Sequence, residues 1–497
     1  MTTSQQDLRR AAVVAFVHDF VTAAINRRLH SAQSRFVAES LLVMVAALRK
    51  AASLGVEMPL QLQFSDDRIH YEGQALDGPS LQAASLLRAC SERQIAMLSF
   101  HPTLGPDEAN RCFDLLLLPD NKEALARGQR ELALQALGIR NLRIALRSPG
   151  DPTDRRTSVD PRSEALHKYQ DLALSLQQNH ALAQRDQELH VDEVEHVVLN
   201  TLTQFEEPST LLSLATQDDV DRFTVGHSVR VALLALQVAR ATGATREQLV
   251  SVGTAALMHD IGKSKVPQEI LWKRGRLSAE EWHWMAQHPR LGAQILLEQH
   301  ETLEPSTIGA AFCHHMGPTG CGYPQPAMPL MPCGTSRLIR VCDVFEALTS
   351  VRPYKRALTP IEAYAVMFRN EQDFDPRWLR QFATTLGLFP TGTRVLLDDG
   401  ASALVIRQGA TPHRPVVRLL TGPEGSDLGP DQPDEVDIGQ EREGKKARIA
   451  AVSTHERCLV LPDFDLADPE ILTADPHHAC LSTALATDVQ NAQRFGR

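Results

Sequence analysis

The 497-residue sequence has no apolar run near the roughly 18 residues a membrane span needs; its best are Leu41 to Leu48 and the Ala232 to Val238 region. No integral membrane association is expected. Residues Ala11 to Val17 follow Arg9 and Arg10, but His18 and Asp19 interrupt them and no small-residue cleavage site follows, so they read as helix rather than export signal. Basic residues are in deficit, 51 Lys and Arg against 61 Asp and Glu, for a net charge of −10. A nucleic acid polymer or anionic lipid therefore lacks its usual electrostatic attraction, and an anionic ligand must be captured locally. The eight cysteines, Cys90, Cys112, Cys313, Cys321, Cys333, Cys342, Cys458 and Cys480, form no C-x-x-C pair and no secreted-type framework. Reduced thiols in a cytoplasm fit this pattern. There is also no internal repeat of 20 to 50 residues.

At roughly 100 to 200 residues per domain the length implies about three domains, and 43% hydrophobic with 23% charged residues is enough for several cores. Between Leu8 and Leu54 there is no Gly or Pro, and apolar residues recur at helical spacing, as in Phe16, Phe20 and Ala24, which predicts one long helix or two. Leu60, Leu62 and Phe64 alternate with polar residues, Ser65 to Asp67 turn, and Ile69 and Tyr71 resume the alternation, a hairpin pattern. With further strands at Ile95 to Phe100 and Leu142 to Leu146, and helices near Asp107 to Leu118 and Lys122 to Leu137, residues 1–147 read as an α+β domain whose role is left open, a regulatory one among the options.

Residues 148–162, SPGDPTDRRTSVDPR, combine three prolines with six charges and lack an apolar face, which marks a linker. Residues 163–389 are predominantly helical, a mainly α bundle. Residues 390–465 read as a small β module, with strands around Val395, Leu404 and Val416 to Leu420 and a loose loop from Gly422 to Lys446. Residues 466–497 read as a tail.

Chemistry concentrates in the helical region. His259 and Asp260 stand side by side at the polar end of the apolar stretch Ala255 to Met258, and an imidazole beside a carboxylate suits a divalent Fe, Mn or Zn. An isolated pair of this kind is more often a hydrogen-bonded helix end. The partners change that balance: His227, His288, the pair His314 and His315, and Asp343 each adjoin an apolar run, where an unpaired polar side chain is costly and a metal can satisfy it. Five His and two Asp exceed what one ion takes with positions left for water, so two adjacent ions are expected.

In order, the motifs are DRFTVGHSVRV, HDIGK, HPRLG, HH followed by GCGYP, and DVFEALTSVRPYK, closing on FDP at Phe374 to Pro376. On these, the chain from about Asp221 to Phe389 resembles the HD-GYP phosphodiesterases, a branch of the HD metal-dependent phosphohydrolases. The resemblance implies hydrolysis of cyclic di-GMP to pGpG or GMP. It implies that His227, His259, Asp260 and Asp343 form the basic metal set and that His288, His314 and His315 complete a second metal. It also implies a binuclear Fe or Mn site, because the position where some members carry a Glu for a third ion is Phe223 here.

Two ions can share a hydroxide and present it to phosphorus, with Asp260 the natural bridge. Lys263, Arg352 and Lys355 supply cations for phosphates, Lys263 close enough to serve in catalysis. Gly322, Tyr323 and Pro324 form a turn that can approach the ligand closely. The family's acids after the paired His and before the x-Gly-Tyr-Pro are replaced by Met316, Gly317 and Thr319, and Glu346 stands where an Asp is usual. These changes keep two rivals open: a cyclic di-GMP receptor with little turnover, and a phosphohydrolase for another nucleotide. A homodimer or a signalling-protein partner is also open.

Overall fold

The computed structural model describes residues 5–65, 67–118, 130–147, 161–204, 225–271, 273, 275–299, 303–350, 357–426, 428, 435–442, 445–453 and 458–460. The chain divides into two compact units, Met1–Leu174 and Ser175–Arg497. No described helix is long and apolar enough to cross a membrane.

The first unit opens with two helices, α1 (Gln5–Leu29) and α2 (Arg35–Ser53). The helical pattern breaks just before Ser34, whose extended backbone lets its hydroxyl accept from the Phe36 amide and cap α2. The hairpin forms as β1 (Leu60–Phe64) and β2 (Ile69–Tyr71), with Phe64 opposite Ile69. After β3 (Gln74–Ala75) come helices α3 (Asp77–Gln82) and α4 (Ala84–Glu92), then β4 (Ile95–Phe100), α5 (Pro106–Leu117), α6 (Arg130–Ala136) and β5 (Leu142–Leu146).

The strands make one antiparallel sheet in the order β3-β2-β1-β4-β5. Along β1, Leu60, Leu62 and Phe64 face inward while Gln61 and Gln63 face water, the alternation of a sheet with one solvated face. Phe16 and Phe20 pack edge-on against Phe100, and Phe20 stacks on Phe113, joining α1, β4 and α5 in one core. Lys122 to Gln129 of the second expected helix lie outside the described residues.

Residues 148–160 of the expected linker also lie outside the described residues; Pro161 and Arg162 open α7 (Pro161–Gln184). The second unit continues with α8 (Val191–Gln204), α9 (Val225–Ala241), α10 (Arg246–Met258), a 3-10 turn at Ile261–Lys265, α11 (Gln268–Leu271), α12 (Ala279–Met285), α13 (His288–Leu297), α14 (Pro305–Cys313), α15 (Gly334–Thr349), α16 (Pro360–Arg369) and α17 (Pro376–Leu386). Helix α9 is buried on nearly every side, from Gly226 to Leu236, the signature of a central helix.

The β module holds β6 (Arg394–Leu397), β7 (Ser402–Thr411), β8 (Arg414–Leu419), β9 (Glu435–Asp437), β10 (Glu441–Arg442), β11 (Lys445–Lys446), β12 (Ile449–Ser453) and β13 (Cys458–Val460). Six of these pair in the order β13-β12-β6-β7-β8-β9, and β10 pairs with β11. The expectation of a loose loop from Gly422 to Lys446 is corrected here, because β9, β10 and β11 lie inside it. In β9 the single buried Val436 between Glu435 and Asp437 opposes Val417, and three residues are too few to reveal an alternation in sequence.

Candidate metal centre

Helix and turn ends converge on one point. A Thr245–Gln248 capping box starts α10, whose apolar face carries Ala255 to Met258 into the core, and His259 and Asp260 follow as the helix ends. The next residue but one, Gly262, allows the turn to press on α13: a Cβ there would lie 2.0 Å from the His288 carbonyl oxygen and 2.4 Å from the Gly292 nitrogen. No side chain fits, and the HD pair is thereby brought against His288.

Three of the imidazoles are fixed by one local device. His259, His288 and His314 each place Nδ1 on the carbonyl oxygen three residues back, Ala256 at 2.7 Å, Met285 at 2.8 Å and Ala311 at 2.9 Å. These are carbonyls of final helical turns, which lack a partner further along the helix. With Nδ1–H donating there, Nε2 presents its lone pair to the interior, the form a metal ligand needs.

The Nε2 atoms meet at Asp260. Its Oδ2 lies 3.3 Å from His259 and 3.6 Å from His227, while its Oδ1 lies 3.2 Å from His288 and 3.6 Å from His314. Asp343 on α15 closes the ring, with Oδ1 3.1 Å from His227 Nε2 and Oδ2 3.9 Å from His315 Nδ1. Two groups, His227–His259–Asp260 and His288–His314–His315, each have ligand atoms close enough to hold an ion.

The donors fit a divalent metal. His259 Nε2 and Asp260 Oδ1 are buried without a hydrogen-bond partner among the described residues, which is costly unless a cation satisfies them. Burial, reinforced by His259 and His288, pushes His314 down to about 3, and burial with His314 pushes His315 well below the usual range. Both are neutral and able to ligate at physiological pH. Burial opposes ionisation of Asp260 and Asp343, yet Lys263 and His259 for the first, and His227 for the second, hold both carboxyls well below the usual carboxylate range.

Around this cage sit residues the sequence reading left without a role. Glu346, three residues after Asp343, accepts from His227 Nδ1, from Arg230 Nε at 2.7 Å and from Ser350 Oγ at 2.5 Å. It anchors His227 from behind, as carboxylates behind metal-binding histidines do. The i, i+3 spacings of His227 with Arg230 and Asp343 with Glu346 place each pair on one helix face, a signal present in the sequence. His180 on α7 carried no such signal. Its Nε2 is buried and without a hydrogen-bond partner among the described residues. Burial lowers it to about 4, against the opposing pull of Asp260.

Lys263 contacts Asp260 Oδ2 at 2.5 Å. Tyr323 stacks on His315, ring centroids 4.6 Å apart, and Gly322 has φ of +99° and passes so close to His315 that a Cβ would lie 2.3 Å from its carbonyl oxygen. Pro324 is buried. Arg352, Lys355 and Phe223 lie outside the described residues. At the divergent segment, Met316 is 1% exposed and packs beneath the turn, while Thr319 faces water. A carboxylate at 316 in this fold would be a buried, unpaired charge.

Comparison with known proteins falls on the same residues. Residues 215–378 match the HD domain family. The matched stretch contains every residue of the cage. A cyclic di-GMP phosphodiesterase of Pseudomonas aeruginosa is 33% identical over 271 residues, 54% of this chain and 62% of that protein. The cyclic di-GMP phosphodiesterase response regulator RpfG of Xanthomonas campestris is 36% identical over 154 residues, 30% of this chain and 39% of that protein. A 3'3'-cGAMP-specific phosphodiesterase of Vibrio cholerae is 34% identical over 171 residues, 34% of this chain and 36% of that protein. The match thus covers less than two thirds of each relative's length. Among solved structures, a HDG"Y"P protein from Bdellovibrio bacteriovorus is 15% identical, covering 52% of this chain and 86% of that one with a TM-score of 0.37. The matched stretch holds the helical ends that build the cage, and the β module follows it in the chain.

Proposed function

We propose that the chain is a metal-dependent phosphodiesterase that hydrolyses cyclic di-GMP to pGpG or GMP. The observation that carries this reading is Asp260, whose two carboxylate oxygens each face a different pair of imidazoles. One divalent ion, Fe or Mn, would be held by His227, His259, Asp260 and Asp343, and a second by Asp260, His288, His314 and His315. Such ions lower the pKa of water toward neutrality and polarise phosphoryl oxygens.

The chain's own residues do the rest. Glu346 holds His227 in place through Nδ1, and the three carbonyl contacts hold His259, His288 and His314, so the cage is organised before substrate arrives. Lys263, together with Arg352 and Lys355, provides cations for the two phosphodiesters. Gly322 and Tyr323 form the wall beside His315, against which a dinucleotide ring can lie. The substrate is anionic and the protein has a net charge of −10, so cations at the site must supply the attraction. The compartment that fits is the cytoplasm. A second reading, 3'3'-cGAMP as substrate, is favoured by the likeness to the Vibrio cholerae enzyme.

Protein purified anaerobically and supplied with Fe(II) or Mn(II) should convert cyclic di-GMP to pGpG or GMP, followed by chromatography. Cyclic di-GMP that binds and stays intact over many hours would make the chain a receptor. Cleavage confined to 3'3'-cGAMP would establish the second reading.

A further inference from the structure

The cage and the turn beside it leave one aromatic side chain unexplained. Helix α12 (Ala279–Met285) has no buried residue, yet it is held firmly: Ser278 and Glu281 form a capping box, and Lys273 pairs with Glu281 at 2.6 Å. It carries two tryptophans of nearly equal exposure, Trp282 at 48% and Trp284 at 46%. Among the described residues, only Trp282 makes a ring contact toward the site. Trp282 meets Tyr323 edge-on with ring centroids 5.8 Å apart, and Tyr323 in turn stacks on His315 and meets His288 edge-on. Trp284 has no ring contact with any of them. A series of rings therefore runs outward from two residues of the cage to a half-exposed indole.

We propose that Trp282 is a stacking platform for one purine base of the cyclic dinucleotide whose phosphodiester lies at the cage. The inference rests on the function proposed above and adds the base subsite to it. A large apolar ring left half in water beside a polar cage gains from a flat apolar partner, and every nucleobase offers a π-face. The capping box and the Lys273 pair fix the helix in advance, so little ordering remains to be lost on binding. Tyr323, held against His315, sets the edge of Trp282 and leaves the rest of its surface to the solvent side. Stacking of this kind is tolerant of which base is bound, so the same platform serves cyclic di-GMP, 3'3'-cGAMP and cyclic di-AMP.

The test uses the full chain. Trp282→Ala should bind cyclic di-GMP roughly 5- to 150-fold more weakly, the range of losing one base–aromatic stack, with metal content and inorganic phosphate binding unchanged. Trp282→Phe should recover most of the affinity, Trp282→Leu should not, and Trp284→Ala should match the wild type. Cyclic di-GMP should quench tryptophan fluorescence in the wild type, and that quenching should be absent in Trp282→Phe. Wild-type affinity in Trp282→Ala, equal weakening in Trp284→Ala, or full rescue by Trp282→Leu would overturn the platform and leave the proposed function standing. Should Trp282→Ala fail to fold, the quenching comparison decides, and quenching that survives in Trp282→Phe overturns the proposal. A wild-type protein that binds no cyclic dinucleotide overturns the function and the platform together.

Discussion

His227 has its ring shared between two carboxylates, with Glu346 behind Nδ1 and Asp343 at Nε2. Burial alone would lower its pKa, but Glu346 and then Asp343 outweigh this and raise it from 6.5 to about 9. In metal-free protein the imidazolium is therefore the stable form at neutral pH. A group whose folded pKa lies above its unfolded value adds stability below about pH 6.5, and the contribution is lost as pH rises through about 9. The thermal midpoint of chelator-treated protein should accordingly fall across that window, and the fall should be shallower in Glu346→Gln. Metal uptake at pH 7 should release a proton, read by calorimetry in buffers of different ionisation enthalpy. Because Glu346 would orient the proposed ligand His227 through Nδ1, Glu346→Gln should weaken metal affinity by about 10- to 100-fold rather than abolish it. Unchanged affinity would show that the Asp343 contact suffices to hold the ring.

At the scale of elements, the site depends on close approaches that only glycine permits. The 3-10 turn after the HD pair touches α13 through Gly262, where a methyl group would collide with the backbone of His288 and Gly292. Backbone must move if Gly262→Ala folds at all, at a cost of about 1 to 3 kcal/mol or more. The prediction is a lower melting temperature together with lost metal, since the movement separates Asp260 from His288; a variant with wild-type stability and metal would show that the contact is not needed.

The ligand candidates were legible in sequence because each His or Asp interrupts an apolar stretch, where a lone polar group is anomalous. Gly262 was not, because its neighbour lies some thirty residues away and only the fold brings them together. Met316 was legible only as a missing acid. Its burial makes it a packing residue, so the departure from the usual pattern is a change of core as much as of charge. Glu346 could have been found from its spacing to Asp343, but its partner Arg230 is on another helix, and periodicity within one helix does not say which helices meet.

At the scale of the molecule, the α+β and β parts were legible from alternation and turns, while the division of the chain was less so. The charged, proline-rich stretch precedes α7, yet the first half of α7 belongs with the N-terminal unit. There Tyr169 and Leu172 are fully buried, and the Gln170 amide donates to the carbonyls of Asp67 and Ser80 at 2.9 and 2.8 Å. We propose on this basis that a protease cut within residues 148–160 leaves the two pieces associated, because the N-terminal unit retains its grip on α7. Co-elution of the fragments on gel filtration checks this, and clean separation into two folded pieces would place the working boundary at the linker.

The central claim is that the two ligand groups, which meet at Asp260, would each hold a divalent ion, and the metal content of anaerobically purified protein tests it most directly. Wild-type protein should carry two ions per chain, His288→Ala should lose one of them, and Asp260→Ala, which takes an oxygen from both groups, should lose most of both. Two ions retained per chain in Asp260→Ala, or a single ion in the wild type that His288→Ala leaves in place, would contradict the account.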